Sequence, residues 1–115
     1  MTDRSRGVDD VLVALADSTR RRVLDSVATH GEATATMVAA ELPVSRQAVV
    51  KHLAILDRAG LVASHKQGRE MRYSVRPERL DATAHWMGGL AAEWNARLTR
   101  LKRLAEFASR TDDHE

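Results

Sequence analysis

Residues 45–62, SRQAVVKHLAILDRAGLV, constrain this chain more than any other stretch, because a helix built from them has two chemically different faces. Ala48, Val49, His52, Leu53 and Leu56 recur at helical spacing and form the stripe that a core covers. Arg46, Gln47, Val50, Lys51 and Ala54 fall on the opposite side. That second set holds a guanidinium fork, an amide that both donates and accepts, a mobile cation and two small apolar groups. Such groups suit the base edges, thymine methyls and phosphates of a DNA major groove. Alone, the stretch reads sooner as an ordinary amphipathic surface helix; its surroundings decide for the groove-facing reading.

Charge is the first of those surroundings. The net charge is only +2, but residues 43–76 carry seven basic residues (Arg46, Lys51, Arg58, Lys66, Arg69, Arg72, Arg76) against Asp57 and Glu70, a local +5. A positive segment centred on a candidate reading helix is the electrostatic footprint of a nucleic-acid binder. The 115 residues fit one domain, and the absence of cysteine excludes disulfides and thiolate metal sites. The polar start MTDRSRGVDD has no signal-peptide run, and no stretch approaches the roughly 20 apolar residues that span a bilayer. A soluble, cytoplasmic protein without a membrane partner is expected. No nucleophile–base pair, phosphate-cradling glycine loop or paired metal carboxylates can be assembled, so no enzyme is expected.

Along the chain, Val8, Val11, Leu12, Leu15 and Ala16 trace a first helix, and Asp17 or Ser18 reads as the N-cap of a second ending near His30-Gly31. A short third helix follows, capped by Thr34 or Thr36 and ended by Pro43 before Ser45 caps the helix described above. Helix, tight turn, helix is the result. After Gly60 the period changes: Leu61 to Lys66 and Met71 to Val75 read as two strands around Gln67-Gly68-Arg69-Glu70, a basic hairpin with Arg69 at its tip. Beside a reading helix such a hairpin is a wing. From Pro77 to about Arg110 one long helix carries a heptad-like seam through Leu80, Ala84, Met87, Ala91, Trp94, Leu98, Leu101, Ala105 and Ala108, which predicts a partner helix and hence a homodimer. Gly88-Gly89 suggests a bend or close crossing there. Residues 1–7 and 111–115 are expected to be disordered, leaving 8–110 as the DNA-binding and dimerisation domain.

The words LADSTRRRVLDSV, VSRQAVVKHLAILDRAGLV and GREMRYSV, in that order, resemble the ArsR/SmtB family of bacterial winged-helix repressors, in particular the subgroup without metal-ligand cysteines. The resemblance implies a mainly α fold with a small β-hairpin, a winged helix-turn-helix dimeric through its first and last helices. It also implies binding to an inverted-repeat operator in double-stranded DNA, with release by a signal. It puts Ser45, Arg46, Gln47, Val50, Lys51 and His52 on the reading helix and Lys66, Arg69 and Arg72 on the wing. Val8, Val11, Leu12 and Leu15 would join Met87, Trp94, Leu98 and Leu101 in the dimer contact. For His52, a partly buried side chain that orients the helix is an equal reading.

Two departures limit the analogy. Val50 stands where many members have a hydroxyl, so a thymine methyl contact replaces a hydroxyl contact there. Ala40 to Val44 hold no thiol, and Asp81 with His85 are the local candidates for carboxylate and histidine ligands, to which His114 and Glu115 add little. A surface ion pair or a helix-capping carboxylate is the plainer reading of Asp81, so no metal and no cofactor are expected. The sequence thus points to a sequence-specific DNA-binding regulator, a homodimeric repressor that in one version acts on its own gene. The alternatives are a metal-sensing repressor and a winged-helix protein-interaction module. No inducer is named by these residues.

Overall fold

The structure is a computed structural model that describes residues 2–112, with side chains described from residue 7 to residue 111. The elements are α1 (Thr2–Leu15), α2 (Ser18–His30), β1 (Ala33–Thr34), α3 (Ala35–Glu41), α4 (Arg46–Arg58), β2 (Val62–Gln67), β3 (Glu70–Val75) and α5 (Glu78–Asp112). The chain divides into two compact units, Met1–Thr83 and Ala84–Glu115, the second built from the greater part of α5. α1 begins at Thr2, where the apolar periodicity pointed to a start near Val8. Once a helix is nucleated, each added residue contributes a backbone bond whether or not its side chain is apolar. At the other end α5 reaches Asp112, and His114 and Glu115 lie outside the described residues.

Short-range hydrogen bonds set the helix boundaries. Asp17 caps α2, its carboxylate accepting from Arg20 N at 2.9 Å, and Thr34 caps α3, its hydroxyl accepting from Met37 N at 3.2 Å. Ser45 caps α4 by accepting from Ala48 N at 3.1 Å. The carbonyls at the end of α1 take donors from α2: Arg20 Nη1 reaches Ala14 O at 3.0 Å and Arg21 Nη1 reaches Leu15 O at 2.6 Å. α5 passes through Gly88 and Gly89 as one helix, and a side chain at either would meet nothing within 4 Å.

The core of the first unit is formed by Val11, Val23, Val27, Val38, Val49, Leu53, Leu56, Leu61 and Val62, all fully buried. It therefore sits where α1, α2, α3 and α4 converge on the base of the hairpin. Val8 and Val11, expected at the dimer contact, are instead 8% and 0% exposed within the chain's own fold. The physical reason is that α1 is too short to serve two surfaces with one stripe: its inward positions are used to cover α2. Leu12 stays exposed and Leu15 half-buried.

β1 pairs with β3, and β3 with β2, all antiparallel. β1, which no sequence pattern predicts, sets Ala33 and Thr34 opposite Tyr73 and Arg72 and so fastens the hairpin to the entrance of α3. At the tip, Gln67 pairs with Glu70, leaving Gly68 and Arg69 as a two-residue loop. Gly68 has φ 65 and, among the described residues, no non-glycine residue has positive φ, the sign pattern of a type II′ turn.

Candidate nucleic-acid interface

α4 separates its faces as its sequence implies. Val49, Leu53 and Leu56 are fully buried, while Arg46, Gln47, Val50, Lys51 and Ala54 are all exposed. The hydroxyl of Ser45 is committed to capping the helix, which fixes where its first turn begins. Arg46, at that first turn, donates from Nε to Thr36 Oγ1 at 3.1 Å. Ser64 Oγ donates to Asp57 Oδ2 at 3.2 Å, joining the last turn of α4 to β2.

His52 departs from the row. It is half-buried, with Nδ1 shielded from solvent and unpartnered among the described residues, and it lies close enough to Asp17 for its charge to act there. The Arg20 backbone amide is the main cause holding the Asp17 carboxyl below its ordinary range, with the Arg20 and His52 charges adding. His52 thus belongs to the seam between α4 and the start of α2, not to the exposed face. Its spacing with Val49, Leu53 and Leu56 already carried that alternative.

In the wing, alternation sorts the cations. Lys66 lies opposite Met71 and His65 opposite Arg72, so Lys66 and Arg72 point to opposite faces of the hairpin. Arg72 is half-buried and engaged: Nη2 meets Glu70 Oε2 at 3.3 Å, and Nε lies 3.9 Å from Glu32 Oε1, which His65 Nε2 also reaches at 3.1 Å. Two carboxylates thus stand beside its guanidinium, while Nε itself has no hydrogen-bond partner among the described residues. Lys66 and Arg69 are exposed, with no ion pair to either among the described residues. Glu32, unremarked in the sequence, ties the α2–β1 connection to the wing. Tyr73, half-buried in β3, has its phenol pushed up by burial, with the Asp57 charge adding and Arg46 opposing.

The second unit presents one chemistry. Along α5, Trp86, Met87, Leu90, Trp94, Leu98, Leu101, Leu104 and Phe107 are all exposed. Arg97 lies over the Trp94 ring at 5.1 Å and pairs with Glu93 at 2.8 Å. Among the described residues no helix is long and apolar enough to cross a membrane, and no group of three or more His, Cys, Asp or Glu is placed to hold a metal ion.

Comparison with known proteins agrees with this geometry. The Helix-turn-helix domain family matches residues 15–65. The transcriptional repressor SdpR of Bacillus subtilis (strain 168) is 31% identical over 80 residues, covering 70% of this chain and 88% of SdpR. The arsenic resistance transcriptional regulator ArsR1 of Pseudomonas putida is 32% identical over 103 residues, covering 87% of this chain and 79% of ArsR1. The chain belongs to the ArsR family of transcriptional regulators. A solved ArsR-like transcriptional regulator from Rhodococcus sp. RHA1 superposes with a TM-score of 0.76 at 40% identity, covering 86% of this chain and 92% of that one. This ArsR-family member is therefore a winged helix-turn-helix, DNA-binding regulator of transcription and not an enzyme.

Proposed function

We propose that this chain is a homodimeric repressor that binds an inverted-repeat operator with two copies of α4 in successive major grooves, one helical turn apart. The observation that carries the reading is the exposed row Arg46, Gln47, Val50 and Lys51 on a helix whose opposite face is fully buried. Arg46 and Gln47 read base edges, Val50 meets a thymine methyl, and Lys51 takes a phosphate. Lys66 and Arg69 carry the wing's contact with the backbone or minor groove, while Arg72 and His52 hold the frame that presents them. Residues 8–110 act as one DNA-binding and dimerisation domain. The second copy is met by Met87, Trp94, Leu98 and Leu101 on α5 together with Leu12 and Leu15. Seven large apolar side chains exposed from Met87 to Phe107 and Trp86 beside them exceed what an unpartnered helix leaves in water. The place of action is the cytoplasm, with DNA as the partner and no cofactor.

The test is fluorescence anisotropy of the full chain on a duplex from its own upstream region and on a scrambled duplex, across a salt series. Preferential binding to the upstream duplex with a steep salt slope is expected. Equal, weak binding to both overturns the autoregulatory version. Absence of any salt dependence overturns DNA binding by this face.

A further inference from the structure

Arg46 Nε donates to Thr36 Oγ1 at 3.1 Å, a bond that joins the first turn of α4 to the first turn of α3. Thr36 is not needed for capping, since Thr34 already caps α3 by accepting from Met37 N. It is exposed and contributes nothing to the core. Its hydroxyl has one described partner, and that partner is the guanidinium at the head of the reading helix. No carboxylate pairs with Arg46 among the described residues, so Thr36 is what orients it.

The atom engaged matters. A guanidinium can offer guanine O6 and N7 two parallel N–H groups in two ways: side-on through Nε and one Nη, or end-on through both Nη groups. A hydroxyl on Nε occupies the side-on edge and leaves the end-on fork free. Threonine suits the task because its branched Cβ restricts χ1, so the hydroxyl is held where the backbone of α3 puts it.

We propose that Thr36 is a specificity-positioning residue whose hydroxyl holds Arg46 so that Nη1 and Nη2 meet a guanine. This rests on α4 being the reading helix, and the test separates the two claims. Full-length wild type, Thr36→Val, Thr36→Ser, Arg46→Ala and the Thr36→Val/Arg46→Ala double variant each select from a duplex library with a randomised 24-base-pair centre (about two helical turns plus flanks). The selected pools are then sequenced. Wild type is expected to enrich a symmetric motif, and Arg46→Ala to lose preference at one guanine per half-site by about five- to a hundred-fold. Thr36→Val should lose preference at that same guanine by about three- to ten-fold while other positions keep theirs. Thr36→Ser should keep most of it, and the double variant should match Arg46→Ala alone. A Thr36→Val motif identical to wild type, or one weakened evenly at every position, overturns the positioning role while leaving the reading helix intact. A wild-type pool with no enriched motif overturns the reading helix itself and the inference with it.

Discussion

Gly60→Ala is the perturbation whose cost the structure resolves into parts. Gly60 follows α4 at φ 77 and completes a Schellman motif: Leu61 N donates to Leu56 O at 2.9 Å and Gly60 N to Asp57 O at 3.0 Å. Ala59 O, next in line, accepts from Arg79 Nη1 at 2.9 Å. A Cβ on Gly60 would stand 2.7 Å from Arg79 Cδ and Nε and 2.9 Å from Cζ. The left-handed backbone alone costs an alanine about 1–2 kcal/mol. Displacing the Arg79 side chain also forfeits its bond to Ala59 O, about 1 kcal/mol for an exposed donor. Gly60→Ala is thus expected to destabilise by about 2–3 kcal/mol in urea unfolding at fixed protein concentration, with an unchanged m-value. In an Arg79→Ala background the steric part is already absent, so the same substitution should cost only about 1–2 kcal/mol. Equal costs in both backgrounds would refute the claim that Arg79 and the glycine jointly close α4. Since the end of α4 leads into β2, DNA affinity should fall with the loss of this cap.

Three further outcomes follow from the same geometry. Lys66→Ala should weaken binding to every DNA sequence alike and reduce the slope of log affinity against log salt by about one, measured by anisotropy; an unchanged slope removes Lys66 from the interface. Glu41 accepts from Ser26 Oγ and pairs with His30, and these bonds, the Ser26 hydroxyl first, hold its carboxyl below the ordinary 4.5. A depressed folded value makes the carboxylate stabilising above 4.5 and lost as pH falls through the folded value, so wild type and Glu41→Gln should differ at neutral pH and converge in acid. A constant gap across that range in thermal unfolding would disprove the linkage. Leu98→Glu places a charge on the apolar face of α5, and if that face joins two copies, it should raise the dimer dissociation constant by about a hundredfold or more in sedimentation. A variant that sediments as wild type would move the dimer contact elsewhere.

What the sequence determined by itself was everything that depends on neighbours along the chain. The helices were legible because their stripes repeat at 3.6 residues and because Asp17 and Ser45 need only an amide three residues on to act as caps. The wing was legible because period-two alternation flanks Gly68, and the exposed row of α4 because burying Val49, Leu53 and Leu56 leaves Arg46, Gln47, Val50 and Lys51 nowhere but outside. For α3, Thr34 and Thr36 were equivalent as caps until the fold gave one the amide of Met37 and the other the guanidinium of Arg46. Tertiary structure alone decided the contacts that cross the chain. The two residues of β1 are too few to show a period, and their pairing with Tyr73 and Arg72 exists only once the hairpin arrives. Glu32 is an unremarkable charge until that pairing brings it beside Arg72 and His65 of the wing. Val8 and Val11 carry the same apolar pattern as Leu12, and only the position of α2 settles which of them the core takes. Periodicity reports that a face will be buried; what buries it depends on chain closure over distances that no local pattern encodes.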